Sequence, residues 1–324
     1  MPQIFDTLIM VTPKDCLRLK NNYHRLAENL PVRRILFMGN EQVGELVKES
    51  GLGERVDFLN ENDILSFSAV HEVVGDVLKE LLAGQELPRG ITGWYYQQFL
   101  KMQYAYRCKD SYYMVWDGDT IPCRKFTMFH EESGTPFLDL KKEYHEEYFT
   151  TLSRILPGMQ KCIERSFISE HMLINCDIMK HLIADIEEKS GLPGRSFWEK
   201  IIRSIDADQI QRSSFSEFET YGTYVCMKYP DAYRIRNWYS FRQGGEFFDP
   251  DTITDEDYSW LGRDFYAISF EKGHYVREDH QNLFNNRKYQ EKLSARRMLE
   301  IAQEEFKEGY LEVWDEPSGE GESG

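Results

Sequence analysis

No apolar run in the chain approaches the roughly 18 to 20 residues that a membrane span needs. The opening residues, Met1 to Asp6, lack the basic and apolar regions of a signal peptide. Positive charge is scarce: 39 Lys and Arg stand against 55 Asp and Glu, a formal net charge of −16. That balance argues against a general nucleic-acid binder, which needs a basic footprint. An acidic protein that handles phosphorylated substrates must therefore supply Lys, Arg or metal ions locally. Six cysteines (Cys16, Cys108, Cys123, Cys162, Cys176 and Cys226) show no C-x-x-C spacing, so they read as reduced thiols, neither a zinc site nor a disulfide framework. These absences make the cytoplasm the expected location, with peripheral contact to the inner membrane left open. No Pro/Gly/Ser linker divides the chain, so one domain over about 1–310 is expected.

What is present is a soluble globular composition, 41% hydrophobic and 14% aromatic over 324 residues, enough for a full core. Apolar runs at 7–12, 34–39, 56–59 and 112–116 alternate with amphipathic segments at 14–29, 41–50, 64–82 and 93–107. This β-α-β alternation predicts an α/β fold whose sheet carries helices on both faces. The second half is more helical. Helices are expected at 142–156, 170–189, 197–204, 216–227 and 281–307, with short strands near 126–129, 137–140, 233–241 and 265–270. Residues 311–324 are expected to form an acidic, disordered tail.

The strongest local signal is Tyr112 to Pro122, where an apolar run breaks into Asp117-Gly118-Asp119. Asp and Gly are depleted in strands, so the two carboxylates should lie just past a strand's C-terminal end, the edge where open α/β sheets bind ligands. Two acids that close repel unless solvated, hydrogen-bonded or bridged by a hard divalent cation. Just upstream, Trp94, Gln98 and Lys101 share a helical face at i, i+4, i+7. An aromatic ring, an amide and a cation there could meet a phosphate or a sugar hydroxyl. Ser169 reads as the N-cap of a helix opening with Glu170 and His171. Ser216 and Glu219 match a capping box, which would turn Glu219 back onto the cap and leave the Glu217 carboxylate free. His274, after a short strand, could offer a neutral imidazole to a metal.

Taken together, these stretches resemble nucleotide-sugar-dependent glycosyltransferases of the GT-A fold, a Rossmann-like mixed sheet flanked by helices. More narrowly, the chain is similar to bacterial glycosyltransferase-like proteins linked to surface polysaccharides. The resemblance rests on Val11 to Asp15, Asn60 to Asp63, Gly93 to Lys101, Trp116 to Asp119 and Phe215 to Gly222. It implies a nucleotide-binding half over about 1–122 and an acceptor-side half over about 123–310. It also implies a Mn²⁺ or Mg²⁺ ion held by Asp119 with Asp117, with His274 as a further ligand. Asp117 would also face the ribose or donor sugar, Thr12 and Pro13 the nucleotide base, and Asp63 the base or ribose. The implied reaction moves a sugar from a nucleotide diphosphate, UDP by expectation, to a glycan or other hydroxyl. Inversion is expected with Glu217 as base and Glu219 in reserve; in a retaining alternative Glu217 would only position the acceptor, and Glu170 and His171 would line the sugar site. Rival classes are a nucleotidyltransferase, disfavoured because Val11 to Asp15 is not a Gly-rich or basic phosphate loop, and a non-catalytic carbohydrate-binding protein.

Overall fold

The computed structural model of the chain describes residues 4–51, 53–188 and 191–310; the expected tail lies outside them. The described residues form two compact units, one within residues 4–120 and 125–238, the other within 121–124 and 239–310.

In the first unit the apolar runs become strands. In chain order they are β1 (Asp6–Met10), β2 (Ile35–Gly39), β3 (Val56–Asn60) and β4 (Tyr112–Asp117). Of these, β1, β2 and β4 are buried on both faces, as parallel sheets require, while the edge strand β3 is only partly buried. Thr120–Pro122 forms β5, Phe137–Leu140 β6, His171–Asn175 β7 and Arg234–Asn237 β8. The main sheet has the order β3-β2-β1-β4-β7. Its first four strands are parallel, and β7 runs antiparallel to β4 with Trp116 opposite His171. This is a mixed α/β sheet flanked by helices, the fold class expected.

The helices are α1 (Pro13–Leu19), α2 (Tyr23–Asn29), α3 (Glu41–Ser50), α4 (Phe67–Leu82) and α5 (Arg89–Gln103). They continue with α6 (Glu146–Ile155), α7 (Cys176–Glu187), α8 (Phe197–Ser204), α9 (Ala207–Ile210) and α10 (Glu217–Lys228). Short polar side chains set several starts: Asn40 Oδ1 accepts from Val43 N, and Ser66 Oγ from Ala69 N. The core joins sheet residues Leu8 and Tyr113 to Val70 of α4, Phe99 of α5, Met179 of α7, Ile201 of α8 and Tyr221 of α10. Helix α10 comes so close to the loop before β7 that a Cβ on Gly222 would lie 2.2 Å from the Phe167 ring.

Several elements differ from the sequence expectation. The helix expected over 170–189 begins only at Cys176, because Met172, Leu173 and Ile174 pair with the edge of β4 as a buried strand. Asn175, not Ser169, caps that helix, its Oδ1 accepting from the N–H groups of Asp177 (3.0 Å) and Ile178 (3.1 Å). The expected helix 14–29 is interrupted by a 3₁₀ turn at Lys20–Asn22. Around 126–129 there is no strand, only an isolated bridge between Phe129 and Pro136.

The second unit has its own small sheet, in which the last residues of β5 join Ser240–Phe241 (β9) and Ala267–Ser269 (β10) in the order β5-β10-β9. The long helix expected over 281–307 is three pieces, Glu278–Phe284, Arg287–Lys292 and Ala295–Phe306. Asn286 and Ser294 restart it as N-caps, competing with the helix interior for backbone N–H groups.

Candidate functional site at the end of β1 and β4

The order β3-β2-β1-β4 places β2 and β4 on opposite sides of β1, so the chain's direction of travel across the sheet reverses between β1 and β4. Loops leaving such a switch point diverge and open a crevice beyond the strands' carboxyl ends. Met10 stands beside Asp117 in register, so the turns after β1 and β4 leave the sheet side by side. A Cβ on Gly118 would lie 2.7 Å from the Met10 carbonyl oxygen and 3.0 Å from Val11 Cγ1. Glycine is what lets the Asp117–Asp119 turn lie against β1. Because β1, β3 and β4 are parallel, Thr12, Asp63 and Asp117 emerge at the same edge.

Asp117 is fixed at both ends. Its N–H donates to the Glu170 carbonyl (2.8 Å), extending the pairing with β7 one residue past the strand. Glu170 reaches that position with φ of +59°, in the left-handed region. Its side chain accepts from Trp238 Nε1 (3.1 Å) and faces Lys141 Nζ (3.5 Å), and all three are buried. The Asp117 carboxylate accepts through Oδ1 from Lys101 Nζ at 3.0 Å, while Oδ2 has no protein partner among the described residues. Asp119 is half-buried, with Oδ1 accepting from Thr120 Oγ1 (3.3 Å).

Lys101 is the centre of the group. It is only 5% exposed, and its ammonium also lies 2.7 Å from Glu217 Oε1, an ion pair without hydrogen-bond alignment. Burial pushes the Lys101 ammonium toward neutrality, but Asp117 and Glu217 outweigh it and raise its pKa. The Phe218 ring lies 4.6 Å from the same nitrogen. One turn earlier, Gln98 Oε1 accepts from Glu217 N (3.0 Å), and Gln98 Nε2 donates to the Trp94 carbonyl (3.2 Å). Trp94 itself is 37% exposed. Helix α5 thus ties the start of α10 to the acidic turn.

Glu219 does not close a capping box. Ser216 Oγ accepts from Glu219 N (3.2 Å), but the Glu219 carboxylate turns away to Ser166 Oγ and Phe167 N. Two donors on the loop before β7 outcompete the single N–H of the cap. Burial pushes this carboxyl's pKa up, against the Ser166 hydrogen bond. Glu217 is 4% exposed and lies against Lys101, so it is not the free carboxylate that the sequence suggests.

His171 opens a strand and is fully buried, with Nδ1 against the Ser169 carbonyl and Nε2 against Asp139 Oδ2, both 2.8 Å. Trp116, Phe126 and Trp238 enclose its ring. Arg236 grips Asp139 through two bonds of 2.6 and 2.7 Å. Burial works to raise the Asp139 pKa, but Arg236 and His171 outweigh it and hold the carboxyl below the usual carboxylate range. Asp139 and Arg236 were not legible as site neighbours, although one acid inside the apolar run 137–140 was a usable signal.

Thr12 Oγ1 accepts from Asp15 N, and Asp15 Oδ2 accepts from Thr12 N (3.2 Å) and Oγ1 (2.6 Å), so Thr12 caps α1 with Pro13 as its first residue. Asp63 is exposed on the 3₁₀ turn after β3. His274 belongs to the second unit, on the turn after β10, with Nδ1 buried and unpartnered among the described residues. Also in that unit, Glu246, His280 and Glu308 bring ligand-type atoms within 4.8 Å of one another. Arg277 and Tyr310 already bind Glu308, and both His280 nitrogens are engaged, by Asp279 and Tyr310, so this cluster reads as an ion-pair network.

The chain matches a family described as "Family of unknown function (DUF6492)" over residues 41–296. Among curated protein sequences nothing matches. Similar solved structures include mouse xyloside xylosyltransferase 1, at 11% identity and TM-score 0.39, covering 84% of this chain and 99% of that one. The S. cerevisiae mannosyltransferase Ktr4p with GDP has 10% identity and TM-score 0.41, covering 68% and 66%. The galactosyltransferase LgtC with donor and acceptor sugar analogs has 11% identity and TM-score 0.39, covering 93% and 96%. Likenesses this distant carry no inference about activity.

Two outcomes test this geometry. Asp139→Asn should cost about 3–5 kcal/mol in urea unfolding at pH 7, since it breaks a buried network. Asp139 titrates lower when folded than unfolded, so its contribution is complete above the unfolded value and is lost as pH falls through the folded one. The gap between wild type and variant should therefore hold above about pH 5 and narrow below about pH 4. Lys101→Met should cost about 3–5 kcal/mol by leaving Glu217 buried without its partner. The double variant Lys101→Met, Glu217→Gln should recover part of that loss; no recovery would place the cost elsewhere.

Proposed function

The chain belongs to the DUF6492 family, whose function is unknown, and we propose that it is a metal-dependent glycosyltransferase using a nucleotide-diphosphate sugar. The observation that carries this reading is the pair of carboxylates at the carboxyl edge of a parallel sheet, at its switch point, with a buried lysine fixing one of them. The donor set fits a hard divalent ion: Asp117 keeps an oxygen without a protein partner among the described residues, and Asp119 is half-buried on the same turn. Asp117 and Asp119 would hold Mn²⁺ or Mg²⁺, which when bound would neutralise charge on the diphosphate leaving group.

The chain's own residues would do the rest. Thr12, Pro13 and Asp63, at the same edge, would line the nucleotide, for which UDP is the first candidate. Exposed Trp94 offers a flat face to the donor. Lys101 would act through Asp117 as a positioning residue, its side chain committed to the two carboxylates. In an inverting transfer Glu217 would take the acceptor hydroxyl's proton as the oxygen attacks. The burial of Glu217 against Lys101 favours a second reading, a retaining enzyme in which Glu217 would only position the acceptor.

Thermal shift with UDP and Mn²⁺, separately and together, tests the central claim: a gain that needs both supports it. Asp119→Asn should abolish that joint gain while leaving the ligand-free melting temperature within a few degrees. If the variant keeps the Mn²⁺-dependent gain, the turn is structural only, as in a carbohydrate-binding protein. His274→Ala in the same titration reads whether this histidine is a ligand. For the reaction itself, NMR of the product anomer decides between the mechanisms. Inversion together with a rate loss of about 10²–10⁴ in Glu217→Gln marks Glu217 as base; retention removes it from that role whatever the rate.

A further inference from the structure

At the opposite end of the main sheet, two cysteines far apart in sequence converge on one backbone carbonyl. Cys176 Sγ lies 3.1 Å from the Asp110 carbonyl oxygen, and Cys108 Sγ lies 3.5 Å from the same atom. The fold dictates the meeting. Tyr112 pairs with Asn175 at the end of the β4–β7 ladder, and the Cys176 N–H donates to the Ser111 carbonyl (2.9 Å), carrying the pairing one step further. The 108–111 turn then folds Cys108 back over that step, its Sγ also 3.8 Å from the Tyr112 carbonyl. Cys176 is buried, whereas Cys108 is half-exposed and lines a cavity of about 540 Å³. Arg107 and Lys109 line the same cavity, both exposed and with no ion pair among the described residues.

From this geometry we propose that Cys108 and Cys176 form a redox-active dithiol, with Cys108 the thiol attacked by a hydroperoxide and Cys176 the one that resolves it into a disulfide. Reactive cysteines are those that are partly exposed, in cationic surroundings and held as thiolate. Cys108 is partly exposed, and its cavity is lined by Arg33, Arg34, Arg107 and Lys109 beside Asp6, Asp57 and Asp110; a hydrogen bond from Cys176 lowers its pKa against burial and against the Asp110 and Asp6 carboxylates, while Cys176 is pushed upward by the same contact. The Cys108 thiolate attacks one peroxide oxygen, the O–O bond breaks, and the departing hydroxide takes a proton from solvent to leave as water, with Cys108 left as a sulfenic acid. The Cys176 sulfur then attacks the Cys108 sulfur, the S–O bond breaks, and the second water leaves with the Cys176 proton. Two thiols thereby supply the two electrons that reduce one peroxide. Cys16 and Cys123 are buried thiols of the same chain and serve as internal controls. The proposal is independent of the transferase reading.

The test uses the full chain, reduced, desalted and treated with hydrogen peroxide. Peptide mapping should find Cys108 linked to Cys176, reversed by dithiothreitol, while Cys16 and Cys123 stay reduced. Iodoacetamide should modify Cys108 at least about tenfold faster than Cys16 or Cys123. In Cys176→Ser, dimedone should label Cys108, because the sulfenic acid is no longer resolved. A map in which Cys108 stays a thiol, or is oxidised further with Cys176 unlinked, overturns the proposal, and so does alkylation no faster than at the two buried controls. The wild-type map and alkylation rates decide the matter even if the variant does not fold.

Discussion

One buried cation holds the candidate site together. Lys101 is removed from water on the inner side of α5, and burial of that kind is costly unless opposite charges surround it. Asp117 and Glu217 meet the requirement from two different elements, the end of β4 and the start of α10. Two consequences come from this ammonium and a third from its neighbour Gln98. The acidic turn is held in one orientation, the first residue of α10 is fixed through Glu217, and α5 is locked in rotation because Gln98 must reach the Glu217 N–H on the same face. A site that must hold charge steady is better built on helices and strands than on free loops.

A second polar layer lies behind it. Glu170 in its left-handed conformation presents a carbonyl to Asp117, and Trp238 and Lys141 secure its side chain. Beside it, Asp139, His171 and Arg236 satisfy one another within an aromatic enclosure. All of these groups but Arg236 are buried, and together they set where Asp117 begins.

Much of this was legible in the sequence because its signals are local. The strand before Asp117 reads from an unbroken apolar run, and the α5 face reads from helical spacing; of that face Lys101 reaches Asp117, while Gln98 bonds the Glu217 backbone. The misreadings share one cause. His171 and the three residues after it suit a helix or a strand equally, and only the unpaired edge of β4 decides for a strand. Glu219 satisfies a local capping rule, yet Ser166 and Phe167, some fifty residues earlier, make a better offer. Glu217 looked free for the same reason: its partner lies on a distant helix. Long-range partners of polar side chains leave no periodic trace.

The separation of these partners has a kinetic meaning. Gln98 bonds to a residue 119 positions away, and β1 pairs with β4 across roughly a third of the chain. Contacts of such sequence separation form only after large loops have closed, which slows folding and defers them to its late stages. The carboxylate turn, the lysine and the start of α10 therefore become a site only when the main sheet is complete. A partly folded chain would carry all of these residues and none of their arrangement, so the first unit should acquire any ligand affinity in one step with its final tertiary structure.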